Sequence, residues 1–212
     1  MKNMITARSM ALILVAAATS SALSDLYDYS FTGTLDNLDE FEVTARMNTD
    51  ATPTIDTPFN SSYFGGVLSD DAHQVIVSAS MRLNDVVTIF DENYLRNHSS
   101  HFVGIVDENP DGARDAFGIS IFSSDPESDD LLFIDFRSFL SNSNLLGTDL
   151  PASSHELDPT SFESAIFEYR DSDGNSVGGN IEQVTVSQVF PSPSGLALLS
   201  VAGLVGSRRR RA

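Results

Sequence analysis

Runs in which apolar side chains fall on every second residue recur along this chain, and they restrict most of it to β-strands. Tyr27, Tyr29 and Phe31 alternate with polar residues, as do Phe41, Val43, Ala45 and Met47, and then Val75, Val77, Ala79 and Met81. A period of two places one set of side chains on one face of an extended segment, so each run reads as a half-buried strand. Val86 to Phe90 is a β-branched run with the same preference. Phe102–Val106 and Phe117–Phe122 flank Asp107–Gly112, whose Asn-Pro-Asp-Gly core predicts a hairpin turn. Leu131–Phe139 continues the series, and Ala165–Tyr169 with Ile181–Val189 form a last hairpin around Asp171–Gly179. Eight or more short strands at this spacing predict an all-β fold, specifically an antiparallel β-sandwich of the jelly-roll-like kind. Helical signal is confined to a turn at Pro159-Thr160-Ser161, and two polar segments, Asn48–Ser62 and Ser141–Thr160, read as surface loops.

The two ends of the chain follow a different pattern. Lys2 and Arg8 precede an apolar stretch, Met10–Ala18, and a run of mostly small residues, Thr19–Ser24. This is the layout of a secretory signal peptide, with cleavage after Ser24 as first choice and after Ala22 as second; a membrane-spanning helix needs a longer apolar run. At the other end, Phe190-Pro191-Ser192-Pro193 leads into the uncharged segment Gly195–Gly206 and then into Arg208, Arg209, Arg210 and Arg211. As a helix that segment rises about 18 Å, against a hydrocarbon core of roughly 30 Å. It is short for a permanent span, yet it reaches across if the bilayer thins and Arg208 snorkels, with the arginines on the cytoplasmic side. The prolines break any helix from the domain side. A buried core helix with a solvated basic tail is the alternative. The expected organisation is a signal peptide over 1–24, an acidic β-domain over 25–189 and a sorting tail over 190–212.

Charge sharpens once the ends are set aside. All 30 Asp and Glu lie between Asp25 and Glu182, with only six basic residues among them, Arg46, Arg82, Arg96, Arg114, Arg137 and Arg170, so the body carries 6 − 30 = −24 and no lysine. Such a body repels nucleic acid and anionic lipid and stays soluble in saline or divalent-rich water. Fourteen phenylalanines in the whole chain, with frequent Val and Ile, supply apolar area for a core and argue against disorder. No cysteine is present, so disulfides and thiol chemistry are excluded.

Together the tail residues resemble the PEP-CTERM sorting signal of Gram-negative and related bacteria: a Pro-x-Pro motif (Pro191, Ser192, Pro193), an apolar helix and the arginine cluster Arg208–Arg211. Ser192 stands where the family usually has glutamate. The resemblance covers about the last 23 residues firmly and the phrases FTGTLDN and Asp-Ser-Asp-Gly-Asn of the body only loosely. It implies an exported protein whose partners are signal peptidase and an exosortase. It further implies a transient anchor in the inner membrane, removal of the tail, and release to the cell surface or extracellular matrix. The catalytic residues of that processing belong to the exosortase, and none is expected here.

Candidate sites in the body are few. Asp171, Asp173, Asn175 and Glu182 occupy positions 1, 3, 5 and 12 of a calcium loop, which needs several hard oxygens on a tight turn. Ser176 takes the place of the required glycine, and the flanks read as strands, so a plain β-turn is the competing explanation. Asp107, Asn109 and Asp111 carry the same ambiguity, and Asp125, Glu127, Asp129 and Asp130 read as a solvated acidic loop. His73, His98, His101 and His155 have no spacing that builds a zinc site. No G-x-S-x-G elbow, phosphate loop or HExxH occurs, and 30 acidic residues offer carboxylate pairs too freely for any pair to carry meaning. The expectation is a non-enzymatic, cofactor-free surface or matrix protein. A carbohydrate- or calcium-binding surface module, favoured by aromatic residues exposed on one sheet face, is the second reading. An extracellular hydrolase, which needs a cleft with two perturbed carboxyl groups, is the third.

Overall fold

The alternation of Tyr29, Phe31 and Leu35 against Asp28, Ser30, Thr32 and Thr34 is realised as a strand, β1 (Leu26–Leu35), buried on its aromatic face. A computed structural model describes residues 26–67, 73–108, 114–124, 130–139 and 144–189. The proposed signal peptide, both cleavage points, Asn109, Asp111, Asp125, Glu127, Asp129 and the whole sorting motif from Pro191 to Arg211 lie outside the described residues. Leu26–Ser187 forms one compact unit.

The other elements follow in chain order: β2 (Glu40–Asn48), β3 (Ile55–Thr57), β4 (Asn60–Gly66), β5 (Ile76–Leu83) and β6 (Val86–Phe90). A short helix, α1 (Glu92–Asn97), precedes β7 (Ser99–Val106), β8 (Asp115–Ser123) and β9 (Leu131–Ser138). A 3-10 turn at Pro159–Ser161, where the sequence predicts one, leads into β10 (Ser164–Arg170) and β11 (Ser176–Gln188). All eleven strands belong to one sheet, ordered β3-β4-β7-β8-β9-β10-β11-β1-β2-β5-β6. The pairings β1–β2, β2–β5, β5–β6, β3–β4, β4–β7, β7–β8, β8–β9, β9–β10 and β10–β11 are antiparallel.

The sheet curls until its halves face one another. Tyr29 and Phe31 of β1 lie 6.4 Å, ring centre to ring centre, from Phe117 of β8, and Phe31 lies 6.1 Å from Phe136 of β9. Phe41 of β2 stacks on Phe167 of β10 at 4.3 Å. Offset and tilted arrangements of this kind add attraction beyond the area they bury. Helix α1 packs against β4, β5 and β7, strands from opposite ends of the order, and seats the buried Leu95 between them. The sequence predicts an all-β antiparallel fold, and the described strands form one, a single continuous ladder that curls so that its own two halves enclose the core.

Four local departures from the sequence reading have physical causes. In β5 the register slips opposite Arg46 and Met47, a β-bulge, so Ile76 rather than Val77 joins Ala79 and Met81 in the core. The segment read as a loop over Asn48–Ser62 contains the β3–β4 hairpin, closed by the two residues Pro58 and Phe59. The loop expected over Ser141–Thr160 is polar in composition but buries Leu145, Leu150 and Leu157, and the Pro151 carbonyl accepts a 2.6 Å hydrogen bond from the Tyr29 hydroxyl. Finally, α1 is capped by Asp91, whose carboxylate accepts from the Tyr94 amide at 2.8 Å, and is braced by a Glu92–Arg96 ion pair. With Leu95 as its one buried side chain, it leaves no helical period in the sequence. Among the described residues no helix is long and apolar enough to cross a membrane.

Candidate interaction surface

On the half of the sheet formed by β4, β7, β8 and β9, phenylalanines share the outward positions with serines, glycines and one aspartate. The pairing registers set them in rows across the strands. Phe64, Phe102, Ser120 and Phe133 form one row, Ser100, Phe122 and Leu131 the row on one side, and Ser62, Gly104, Gly118 and Asp135 the row on the other. Phe64 and Phe122 are each 44% exposed. The Phe64 and Phe102 rings are 4.9 Å apart and tilted by 51°.

Gly104 is the reason the ring of Phe102 lies where it does. A Cβ at Gly104 would fall 2.6 Å from the tip of the Phe102 ring, so the absence of a side chain lets the ring settle along its own strand, over bare backbone. At the neighbouring Gly118 a Cβ would meet only ordinary contacts, among them an oxygen of the Asp135 carboxylate at 3.8 Å. The result is a shallow apolar step, with Phe102 and Phe64 on one side of Gly118 and Asp135 on the other.

Ser120 is buried between Phe102 and Phe133 in its row. Asp135 pairs with Arg137 at 2.7 Å; burial pushes its carboxyl above the ordinary carboxylate range, and the arginine partly offsets that rise. Glu168 and Arg170 of β10 stand 3.7 Å apart across from Phe133 and Leu131. Arg46, Arg82 and Arg96 likewise sit beside Asp28, Glu42 and Glu92.

Directly behind Phe102, on the inward face, is His101. It pairs across the sheet with Gly65 and Ile121 and is 1% exposed, and neither ring nitrogen has a hydrogen-bond partner. A Cβ at Gly65 would overlap the His101 ring, so the glycine makes the space the imidazole fills. Burial pushes its pKa down to about 4, leaving a neutral ring at physiological pH. His101 thus behaves as a core side chain with two unsatisfied polar atoms, a standing cost to the fold.

The calcium-loop residues are not brought together. Asp171 closes the β10–β11 turn on itself: its carboxylate accepts from the amides of Asp173 and Asn175 and from the Asn175 side chain, with Gly174 at φ +80°. These hydrogen bonds, Asn175 first, hold the Asp171 carboxyl below its ordinary range. Glu182 accepts a 2.6 Å hydrogen bond from Thr34 instead, and it lies six strand residues beyond Ser176, about 20 Å along β11. The turn is the plain hairpin that the missing position-6 glycine already suggested. Asp107, among the described residues of the other acidic turn, is raised by burial and by Asp115 and Glu108 nearby. His98 lies 6.3 Å from the Tyr94 ring. His98 and His101 are parted by the start of β7, so their spacing does not converge on a metal.

The aromatic face carried no motif, yet it left a trace. β7, β8 and β9 are runs in which both alternate sets contain apolar residues, unlike the clean alternation of β1 and β2. Such runs ordinarily mark strands covered on both sides. Compared with protein-family models, with curated proteins and with solved structures, the chain has no match.

Proposed function

We propose that this chain is an exported cell-surface or extracellular-matrix protein of structural or interaction type, sorted and cleaved by an exosortase in a Gram-negative-type bacterium. The observation that carries this reading is the order Pro191-Ser192-Pro193, uncharged Gly195–Gly206, Arg208–Arg211, set after an acidic lysine-free body and matched by a signal-peptide pattern at the other end. In the mature form the body is the whole protein, a sandwich-like scaffold without cysteine and so without disulfides. Its chemistry supports interaction over catalysis. The raised carboxyl of Asp135 is tied to Arg137, and the low-pKa imidazole of His101 is sealed in the core, where no substrate reaches it.

Intact mass of the protein recovered from its producing cells tests the proposal. The expected mass lacks the first 22 to 24 residues and everything beyond about Pro193. A mass that retains Arg208–Arg211 overturns exosortase processing and leaves a simple tail anchor. A second reading, a carbohydrate-binding surface module, is favoured by one specific observation: the exposed Phe64 and Phe122 lie on the same sheet face as Phe102 and Phe133.

A further inference from the structure

We propose that β6, at one end of the sheet, pairs edge to edge with the β6 of a second copy of this chain, joining two eleven-stranded sheets into one. This goes beyond the sorting reading above and is tested separately from it.

The two ends of the sheet are finished differently. β3 is three residues long, carries Asp56 and is enclosed by Pro53 and Pro58, features that keep a free strand from being paired. β6 has no such protection. Val86-Val87-Thr88-Ile89-Phe90 contains no charge and no proline, and Val86, Val87 and Ile89 are 69%, 57% and 70% exposed. Its one neighbour in the sheet is β5. Residues of an antiparallel strand turn their backbone groups alternately to one side and the other. The two-residue turn Asn84-Asp85 closes on Leu83 and Val86, so Val86, Thr88 and Phe90 bond to β5, and the N–H and C=O of Val87 and Ile89 are directed to the free side. Backbone groups at that spacing are matched by another extended polypeptide, which names the class of partner.

The side chains select a second copy. On the outward face the rows Ser30–Thr44–Ser80–Ile89 and Thr32–Glu42–Arg82–Val87 are polar until they reach β6, so the exposed apolar strip here is one strand wide. An antiparallel copy related by a two-fold axis at Thr88 sets Val87 against Ile89 of the partner subunit, and Ile89 against the partner's Val87. These are the residues with outward-directed backbone groups, so one strand completes both the apolar strip and the hydrogen bonds, and β-branched side chains meet as cross-strand pairs. Charge opposes the pairing from outside it. The same register brings Asp85 opposite the partner's Asp91, just past the strand, and each body carries −24. A strand pair of this length is also a small interface, below about 1,200 Å². The dimer is therefore reversible, and it tightens as salt screens the repulsion, the Debye length falling from about 14 Å at 0.05 M to about 4 Å at 0.5 M. A cationic peptide strand on the same edge has the opposite salt dependence.

The test is sedimentation of the protein as exported by its producing cells, over a range of protein concentration at low and high salt, with hydrogen exchange of the Val87 and Ile89 amides under the same conditions. The expected result is a monomer–dimer equilibrium whose association constant is at least about tenfold larger at 0.5 M salt than at 0.05 M, with both amides exchanging more slowly in the dimer. Ile89→Pro is expected to abolish the dimer. It removes an N–H directed away from β5, on an edge strand where proline is tolerated, so the monomer is expected to melt within a few degrees of the parent. Val87→Asp, which leaves the backbone intact and puts a carboxylate opposite the partner's Ile89, is the second variant and is expected to weaken association at least about tenfold. Ile89→Val and Phe122→Ala are expected to retain the dimer. A monomer at both salts, a dimer that weakens with salt, or a dimer left intact by Ile89→Pro or by Val87→Asp overturns the proposal. So does a dimer that Phe122→Ala dissolves, which belongs to the aromatic face instead. Processing is read separately by mass: a trimmed monomer sinks this inference alone, and a dimer that keeps Arg208–Arg211 sinks only the exosortase reading.

Discussion

The two halves of the sheet share an inner surface and differ on the outer one. Inside, β1 and β2 contribute Tyr29, Phe31 and Phe41, and these meet Phe117, Phe136 and Phe167 from the opposite half. Outside, β1, β2 and β5 carry serines, threonines and cross-strand ion pairs, while β4, β7, β8 and β9 carry phenylalanines over glycines. Folding requires only the inner match, because a buried aromatic face on one half must find another on the facing half. The outer difference is therefore free to serve something other than stability.

The strongest way to break this comparison is at the shared core. Phe117→Ala is expected to destabilise by about 3–5 kcal/mol, in one unfolding transition seen alike by probes on both halves. Two separate transitions would show that the halves do not share a core. The next effect belongs to the aromatic half. His101 has a folded pKa of about 4 against an ordinary 6.5, so its neutral form is the one the fold favours. The associated stability is fully present above pH 6.5 and is lost as pH falls toward 4, in all about 3 kcal/mol. Denaturant unfolding of His101→Leu and the parent at pH 7.5 and 5 checks this. The variant is expected to be the more stable at both, by a larger margin at pH 5, and an equal margin sinks the assignment.

Smaller effects sharpen the outer contrast. A double-mutant cycle on Asp28 and Arg46, joined at 2.7 and 2.9 Å on the polar half, is expected to give about 0.5–1 kcal/mol at low salt. That coupling should shrink at 0.5 M salt, roughly one third of the 0.05 M Debye length remaining. On the aromatic half Phe122→Ser is expected to change stability by about 0.5 kcal/mol or less, measured by thermal melting. A loss of several kcal/mol would mean that the ring is structural.

Much of this was legible along the chain, for reasons visible in particular residues. Apart from β3 and β4, the strand positions follow the alternation and the turn chemistry; Phe41, Val43, Ala45 and Met47 all face the core as their spacing requires. The β3–β4 hairpin was hidden because Pro58-Phe59 lacks the glycine or asparagine that announces a tight turn. Helix α1 was hidden because six residues with one buried side chain have no period to detect. The aromatic face was half legible. The loss of alternation in Phe117–Phe122 and Leu131–Phe136 shows that both faces of those strands are apolar, but not which one is inside. The Asp171 turn was fully legible as a turn, and its resemblance to a calcium loop ended where Glu182 reached Thr34.

By itself the sequence determined that the body is acidic, disulfide-free and built of antiparallel strands, and it supplied the export-like pattern at both ends. These properties depend on composition and on neighbours a few residues apart, which local sequence encodes directly. Only the tertiary structure decided that eleven strands share one curled sheet, that Ile76 displaces Val77 in the core, and that Phe64, Phe102, Phe122 and Phe133 lie on one outer face. Those outcomes rest on register between strands far apart in the chain, where a slip of one residue exchanges inside for outside.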